Sequence, residues 1–138
     1  MIFVELGKIP TDKGFRWHSW TKKILTIIIP RHINRTNEII DNLNNIDLKT
    51  QRHSLNNKIK DDTDIYLVDT FGEAKKFYSL SNITFMGGSL IQHGGQNPLE
   101  PARLKNFIIH GPYVNNFKEV YGYLNKMGIS SVVKKTSD

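Results

Sequence analysis

The sequence predicts an α/β fold in which a mostly parallel β-sheet carries helices on both faces. Short, continuous apolar runs, as at residues 24–29 and 65–68, are typical of strands that are buried on both faces. Amphipathic segments of helical period, as at residues 36–43, separate such runs. When strands alternate with helices along a chain, the strands usually pair in parallel through right-handed crossovers.

The individual elements follow from the same periodicities and from capping residues. Asp69 or Thr70 is expected to cap one helix, and Asn97 another, with Pro98 in its first helical position. In chain order we predict a strand at 24–29, a helix at 36–43, a short strand at 48–54, a loop at 56–64, a strand at 65–68, a helix at 74–80, a strand at 81–86, a helix after Asn97, a strand at 106–110, a helix at 115–128 and a strand at 130–133. Residues 1–23 have no clean period, although residues 17–23 are compatible with the end of a helix.

Composition excludes several classes of protein. The chain has 138 residues, which suits one domain, and it has no cysteine, which excludes disulfides and thiolate metal sites. No apolar run approaches the ~20 residues of a membrane-spanning helix. The net charge of +6 is compatible with nucleic acid, anionic lipid or phosphorylated ligands, but the basic residues are scattered and no nucleic-acid-binding motif is present. We therefore expect no nucleic-acid partner.

Polar or glycine-rich segments follow three of the predicted strands. They are Pro30-Arg31-His32, residues 69–73 (DTFGE) and residues 87–101 (GGSLIQHGGQNPLEP). Because the carboxyl ends of parallel strands lie at one edge of a sheet, these segments are expected to meet in one crevice. The Arg31 guanidinium could bind a phosphate or carboxylate there through two hydrogen bonds. A solvated loop arginine is the alternative that these residues alone leave open.

The glycine-rich segment is the most informative part of the chain. A strand, a glycine-rich loop and a helix N-terminus in succession present backbone N–H groups to one crevice, which suits an anionic ligand. Paired glycines that only form turns are an equally good explanation of the spacing alone. The full string is far more specific, because it resembles the donor-site signature of the 3-deoxy-D-manno-octulosonic acid (Kdo) transferases of lipopolysaccharide synthesis.

The resemblance covers roughly residues 24 to 133. Gln96 stands where the family usually has histidine. The loop that the family carries before this region is not found in residues 1–23. The positions that match the family are Pro30-Arg31-His32, Asp69-Thr70, Gly72-Glu73, Gly87-Gly88-Ser89, His93-Gly94-Gly95, Asn97, Leu99-Glu100-Pro101 and Gly111-Pro112.

The resemblance implies the C-terminal, Rossmann-like donor lobe of a two-lobed (GT-B) glycosyltransferase. Residues 24–138 would be the nucleotide-sugar-binding α/β domain, and residues 1–23 a poorly matched N-terminal segment. The donor would be CMP-Kdo, with no cofactor and no metal. The substrate-binding residues implied are Arg31, His32, Asp69, Thr70, Gly72, Glu73, Gly87, Gly88, Ser89, His93, Gly94, Gly95, Asn97 and Glu100.

The resemblance also implies a reaction, the transfer of Kdo to a lipid A precursor. Family members work at the cytoplasmic face of the inner membrane, and their expected general base lies in an N-terminal lobe. We find no such lobe and no membrane segment in these residues, so we assign no catalytic residue and expect the chain alone to be inactive or nearly so. It would be cytoplasmic, or associated with the inner membrane or with a separate N-terminal-lobe chain. A non-catalytic nucleotide-binding module or remnant fragment is the alternative, and a basic nucleic-acid-binding protein is a weaker one.

Overall fold

The computed structural model describes residues 2–6, 9–11, 14–16, 25–55 and 58–134. Short 3-10 turns at Ile33–Arg35 and Asn115–Phe117 each lead directly into a helix. In chain order the strands and helices are β1 (Ile2–Leu6), β2 (Ile9–Thr11), β3 (Gly14–Arg16), β4 (Leu25–Ile29), α1 (Thr36–Asn44), β5 (Thr50–Arg52), β6 (Ile65–Leu67), α2 (Ala74–Leu80), β7 (Ile83–Met86), α3 (Leu99–Arg103), β8 (Phe107–His110), α4 (Lys118–Lys126) and β9 (Ser130–Val132).

The described strands other than β2 and β3 form one sheet in the order β5-β6-β4-β1-β7-β8-β9. β5, β6 and β4 pair in parallel, as do β7, β8 and β9. β1 lies between the two parallel groups and is antiparallel to both of its neighbours. β2 and β3 form a separate antiparallel pair. The predicted mostly parallel sheet is therefore confirmed, with one antiparallel strand at its centre.

Successive residues of a strand point to opposite faces of the sheet, so both faces carry apolar side chains. Helices cover both faces. Ile27 and Ile29 of β4 pack with Tyr66 of β6 and with Phe77 and Tyr78 of α2. The intervening residues turn to the other face, where Ile28, Ile65 and Leu67 pack against Ile39 of α1. A third cluster joins the second half of the sheet to α4, and it consists of Met86, Ile108, Tyr121 and Leu124.

Most predicted boundaries agree with the structure to within a few residues. α2 coincides with its predicted range, and Gly128 follows α4 with a φ of +70°, as a C-terminal glycine does. The predicted cap of α2 was wrong, because its N-cap is Glu73 and no side chain caps it. α3 begins at Leu99, so that Pro98 is its N-cap rather than its first residue. The proposed helix end at residues 17–23 lies outside the described residues.

The division between residues 23 and 24 stays a prediction. In the described part of the chain, no helix has the length and the apolar character that crossing a membrane requires.

Candidate functional site

A cavity of about 440 Å³ opens at the carboxyl edge of the sheet. The chain leaves β4 toward β5 and β6 on one side, whereas β7, β8 and β9 lie on the other side. The cavity therefore lies where the strand order reverses, which is where open α/β sheets bind ligands. Its lining residues lie at the ends of β4 and β7 or in the segments after β4, β6, β7 and β8, and they are Ile29, Pro30, Arg31, Ile33, Thr70, Phe71, Gly72, Ala74, Met86, Gly95, Gln96, Asn97, Asn116 and Phe117.

Arg31 places a cation on the wall of this cavity. Its side chain is exposed, and among the described residues it has no carboxylate or hydrogen-bond partner. An exposed guanidinium at the mouth of a cavity is well suited to bind a phosphate or carboxylate. His32 is also exposed, but it precedes the 3-10 turn and does not line the cavity.

Asp69 does not point into the cavity, although it begins the segment after β6. Its buried carboxylate accepts hydrogen bonds from the backbone N–H of Ser54 at 2.8 Å, from the Ser54 hydroxyl at 2.7 Å and from Arg52 Nε at 2.7 Å. Burial acts to raise the pKa of Asp69, but the hydrogen bonds from Ser54 and Arg52 outweigh it and hold the pKa below its usual range. Asp69 thus ties this loop to the end of β5.

Glu73 anchors the other end of the same loop. Its carboxylate accepts a short hydrogen bond from the Thr70 hydroxyl and lies 2.7 Å from His53 Nε2. The other ring nitrogen of His53 is 2.6 Å from the Tyr66 hydroxyl. The hydrogen bond from Thr70 is the chief cause of the lowered pKa of Glu73, while burial, followed by the charges of Glu73 and Asp69, raises the pKa of Tyr66 to about 12. Thr70 is the member of this network that lines the cavity.

The tip of this loop is open to solvent. Gly72 has a φ of +80°, a conformation that side chains rarely adopt, and it lines the cavity next to Phe71. Phe71 is 81% exposed. The loop is therefore fixed at its two ends and presents its tip to the cavity.

The glycine-rich loop is held from behind by Ser89. The buried Ser89 hydroxyl donates to the carbonyl of Met86 at 2.6 Å and accepts from the backbone N–H of Gly111 at 2.7 Å. Gly111 is required here, because a Cβ at this position would lie 2.2 Å from the carbonyl oxygen of Ser89. The hydroxyl thus joins the end of β7 to the end of β8.

The glycine-rich loop reaches the cavity at Gly95, the second residue of its second glycine pair. The backbone N–H of Gly95 donates to the carbonyl of Gly88 at 3.1 Å, and the N–H of Asn116 donates to the carbonyl of Gly94 at 3.1 Å. Gly94 has a φ of +84° and packs so closely on Asn116 that a Cβ would lie 2.4 Å from its side chain. The Asn97 side chain accepts a hydrogen bond from the N–H of Leu99 at 3.0 Å.

Gln96 lines the cavity, and its side-chain oxygen is buried without a hydrogen bond in the described part of the chain. Its backbone carbonyl accepts a hydrogen bond from the buried Tyr121 hydroxyl at 2.7 Å. Its side-chain Oε1 is buried and has no hydrogen-bond partner in the described part of the chain. Such an acceptor is costly to leave unpaired, so this side chain is a candidate for rearrangement when a ligand enters.

The structure brings five of the fourteen predicted site residues together at the cavity. They are Arg31, Thr70, Gly72, Gly95 and Asn97. The other predicted residues do not line it, and they are His32, Asp69, Glu73, Gly87, Gly88, Ser89, His93, Gly94 and Glu100. His93 is exposed and its ring packs on Gly88, while Glu100 is exposed in the first turn of α3. Contact with substrate stays a prediction for all fourteen residues.

Nine of the fourteen residues that line the cavity were not among the predicted site residues. Gln96, one of them, was identified from the sequence only as a replacement for the family's histidine, and the others include Phe71, Asn116 and Phe117. Asn116 lies in the helix predicted at 115–128, yet it follows β8 at the same edge of the sheet. The rule that identified the other strand ends could have found it, because it applies to every parallel strand.

Comparison with known proteins identifies the family. No family model matches the chain. The chain is 36% identical over 115 residues to the 3-deoxy-D-manno-octulosonic acid transferase of Haemophilus influenzae, and 30% identical over 143 residues to that of Aquifex aeolicus. The crystal structure of the C-terminal CMP-Kdo binding domain of WaaA from Acinetobacter baumannii superposes with a TM-score of 0.75 at 34% identity. The chain belongs to the Kdo transferase family.

Within the Kdo transferase family, the chain corresponds to the C-terminal lobe. The match to the Acinetobacter domain covers 79% of this chain and 57% of that one, and it confirms the Rossmann-like α/β fold. The matches to the Haemophilus and Aquifex relatives cover 83% and 99% of this chain, but only 27% and 39% of those proteins. The chain therefore spans well under half the length of the curated relatives that it matches.

Proposed function

We propose that the cavity binds the cytidine monophosphate part of CMP-Kdo, and that the chain is the donor-binding lobe of a Kdo transferase. The observation that carries the proposal is the convergence of Arg31, Gly72 and Asn97 on one cavity from three separate strand ends. The Acinetobacter domain, which is described as CMP-Kdo binding, supports the identity of the ligand.

The residues on the wall suggest how the donor is held. The Arg31 guanidinium pairs with the phosphate or with the Kdo carboxylate, both of which accept two parallel hydrogen bonds. Backbone N–H groups near Gly72 and Gly95 supply further donors. Asn97 and Glu100 belong to the end of the glycine-rich segment, and we propose that they contact the ribose or the Kdo sugar.

The reaction that we propose for the complete site is a displacement at the anomeric carbon of Kdo. A hydroxyl oxygen of the lipid A precursor forms the new bond, and the bond from that carbon to the phosphate oxygen breaks. CMP leaves with the bonding electron pair, and the hydroxyl proton passes to a base that we do not place among these residues. Arg31 stabilises the negative charge that develops on the departing phosphate, as a preorganised charge does in other transfer reactions.

Isothermal titration calorimetry with CMP tests the proposal. We expect Arg31→Ala to weaken CMP binding by roughly 10- to 150-fold, the range for loss of a hydrogen bond to a charged group. Arg103→Ala is the matched control, because it removes the same charge from an exposed residue that does not line the cavity. CMP binding that is absent in the unchanged chain, or equal losses in both variants, would contradict the proposal.

A further inference from the structure

His53 is a buried histidine that directly follows β5 and does not line the cavity. Its backbone N–H donates to the carbonyl of Leu67 at 2.9 Å. Its ring packs edge-on against the rings of Tyr66 and Phe77, and the ring centroids are 5.5 Å apart in both pairs. The core therefore fixes both the position and the orientation of the imidazole.

Both ring nitrogens of His53 have partners, and these partners decide where the hydrogen lies. Nε2 is 2.7 Å from Glu73 Oε2, and Nδ1 is 2.6 Å from the Tyr66 hydroxyl. An ionised carboxylate only accepts hydrogen bonds, so Nε2 must carry a hydrogen. Burial raises the pKa of Tyr66 to about 12, so its hydroxyl keeps a proton that it can donate to Nδ1. The two partners together select the tautomer that has its hydrogen on Nε2.

Glu73 carries this contact to the wall of the cavity. Its Oε2 atom accepts from His53 and also from the hydroxyl of Thr70, which lines the cavity. The other carboxylate oxygen, Oε1, is 3.7 Å from Nζ of Lys76, and that exposed ion pair is weak. Without the hydrogen bond from His53, the carboxylate could turn toward Lys76 and release the Thr70 hydroxyl.

The other anchor of the same loop does not reach the cavity. Asp69 accepts hydrogen bonds from Arg52 and Ser54, and none of these three residues lines the cavity. Of the residues that the end of β5 supplies to this loop, only His53 is linked through a carboxylate to a residue on the cavity wall. His53 is thus placed to influence the site, whereas Arg52 and Ser54 are placed to stabilise the fold.

We propose that His53 is a positioning residue of the donor site, because the hydrogen on its Nε2 fixes Glu73 and Glu73 in turn fixes Thr70. This inference rests on the proposed function and goes beyond it, since His53 itself does not line the cavity. With His53 in place, this part of the wall keeps one shape before the donor arrives. Such preorganisation reduces the conformational entropy that is lost on binding.

Two substitutions separate the roles of the two ring nitrogens. The side-chain amide of glutamine reaches about as far as Nε2, so His53→Gln can still donate to Glu73. The amide of asparagine reaches only about as far as Nδ1, so His53→Asn can keep the contact with Tyr66 but not the one with Glu73. Both variants remove the aromatic ring from the core. Isothermal titration calorimetry with CMP compares them with the unchanged chain.

We expect His53→Asn to raise the Kd for CMP by roughly 2- to 30-fold, the range for substitutions that act on a site through a network without touching its ligand. His53→Gln should bind CMP almost as the unchanged chain does. Nuclear magnetic resonance adds two readouts that need no ligand. The backbone resonance of Thr70 should shift more in His53→Asn than in His53→Gln, and the ring nitrogens of His53 should show a hydrogen on Nε2.

Ile39→Val is the matched control, because Ile39 lies in the core on the α1 side of the sheet and does not line the cavity. It should lower the stability in urea and leave the CMP affinity unchanged. Normal CMP binding by His53→Asn, equal losses in His53→Asn and His53→Gln, a comparable loss in Ile39→Val, or an Nε2 without hydrogen overturns the positioning proposal. If Arg31→Ala still weakens CMP binding in that case, the proposed function stands without it. An unchanged chain that does not bind CMP overturns both proposals.

Discussion

The segments after β4 and after β6 end at the same edge of the sheet, but their polar side chains have different surroundings. Arg31 and His32, after β4, are exposed, and their side chains have no hydrogen-bond partner among the described residues. The carboxylates of Asp69 and Glu73, after β6, pair with residues at the end of β5. The comparison separates polar side chains that the fold leaves unpaired at the edge of the sheet from those that the fold has already paired.

The difference arises from the neighbours of each strand. β6 lies beside β5, whose end supplies Arg52, His53 and Ser54 as partners for the loop after β6. β4 lies between β6 and β1, and no described side chain of β6 pairs with Arg31. One segment therefore presents a charge to the cavity, and the other uses its charges to hold a loop.

The largest expected effect is the loss of stability when Asp69, in the segment after β6, is replaced. Asp69→Ala should lower the free energy of unfolding by roughly 2–4 kcal/mol, because it leaves Arg52 and the Ser54 N–H without their acceptor. Urea denaturation measures the change. Asp69→Asn is the control, since its amide oxygen still accepts one of these bonds and should retain part of the stability. An Asp69→Ala chain as stable as the original would show that the loop is not held in this way.

The next effect should be a change in CMP affinity with almost no change in stability. Arg31→Lys keeps the charge but loses the planar pair of donors, so its affinity for CMP should lie between those of the unchanged chain and Arg31→Ala. Its free energy of unfolding should change by no more than about 0.5 kcal/mol, as for other exposed residues. A marked loss of stability in urea would mean that Arg31 has a structural role, and the comparison with Asp69 would fail.

Variants of Ser89 test whether its hydroxyl holds the glycine-rich loop, as the carboxylate of Asp69 holds the loop after β6. Ser89→Ala removes a buried hydroxyl and leaves the N–H of Gly111 unpaired, which should cost about 1–3 kcal/mol of stability. Ser89→Thr keeps the hydroxyl but adds a methyl group in a fully buried position, so it reports the steric tolerance of the site. If Ser89→Ala weakened CMP binding at unchanged stability, Ser89 would instead be a ligand contact.

The smallest effect should be the pH dependence of stability. The pKa values of Asp69 and Glu73 lie below their usual ranges. Their stabilising contribution is therefore complete above the unfolded-state values of about 3.9 and 4.3, and it is lost as the pH falls through the lowered values of the folded state. Urea midpoints should fall as the pH is reduced below about 4, and less steeply in Asp69→Asn. A midpoint that stays constant in acid would contradict the pairing.

The sequence predicted the sheet and its edge well, because apolar runs and helical periods report burial directly. β4, β6 and α2 were expected within a residue or two of their observed bounds. The central antiparallel position of β1 could not be predicted, since strand order depends on pairing between distant segments. The predicted cap of α2 was also wrong, because the Asp69 carboxylate accepts a hydrogen bond from Arg52 of β5 rather than from the N-terminus of α2.

The candidate site was predictable at the level of segments but less so at the level of side chains. Glycine spacing and strand ends located the loops that meet at the cavity. Which face each side chain takes depends on partners elsewhere in the chain, such as Ser54 for Asp69 and His53 for Glu73. The exposure of the Phe71 side chain could not be predicted, because an apolar residue in a loop gives no sign of whether it is buried.

Nuclear magnetic resonance titration of the isotopically labelled chain with CMP tests the central claim most directly. A second cavity of about 280 Å³, beside β5 and lined in part by Leu55 and Lys60, provides the internal reference. We predict that CMP shifts the backbone resonances of Arg31, Gly72 and Asn97 and leaves those of Leu55 and Lys60 in place. Shifts confined to the second cavity, or no shifts at saturating CMP, would contradict the account.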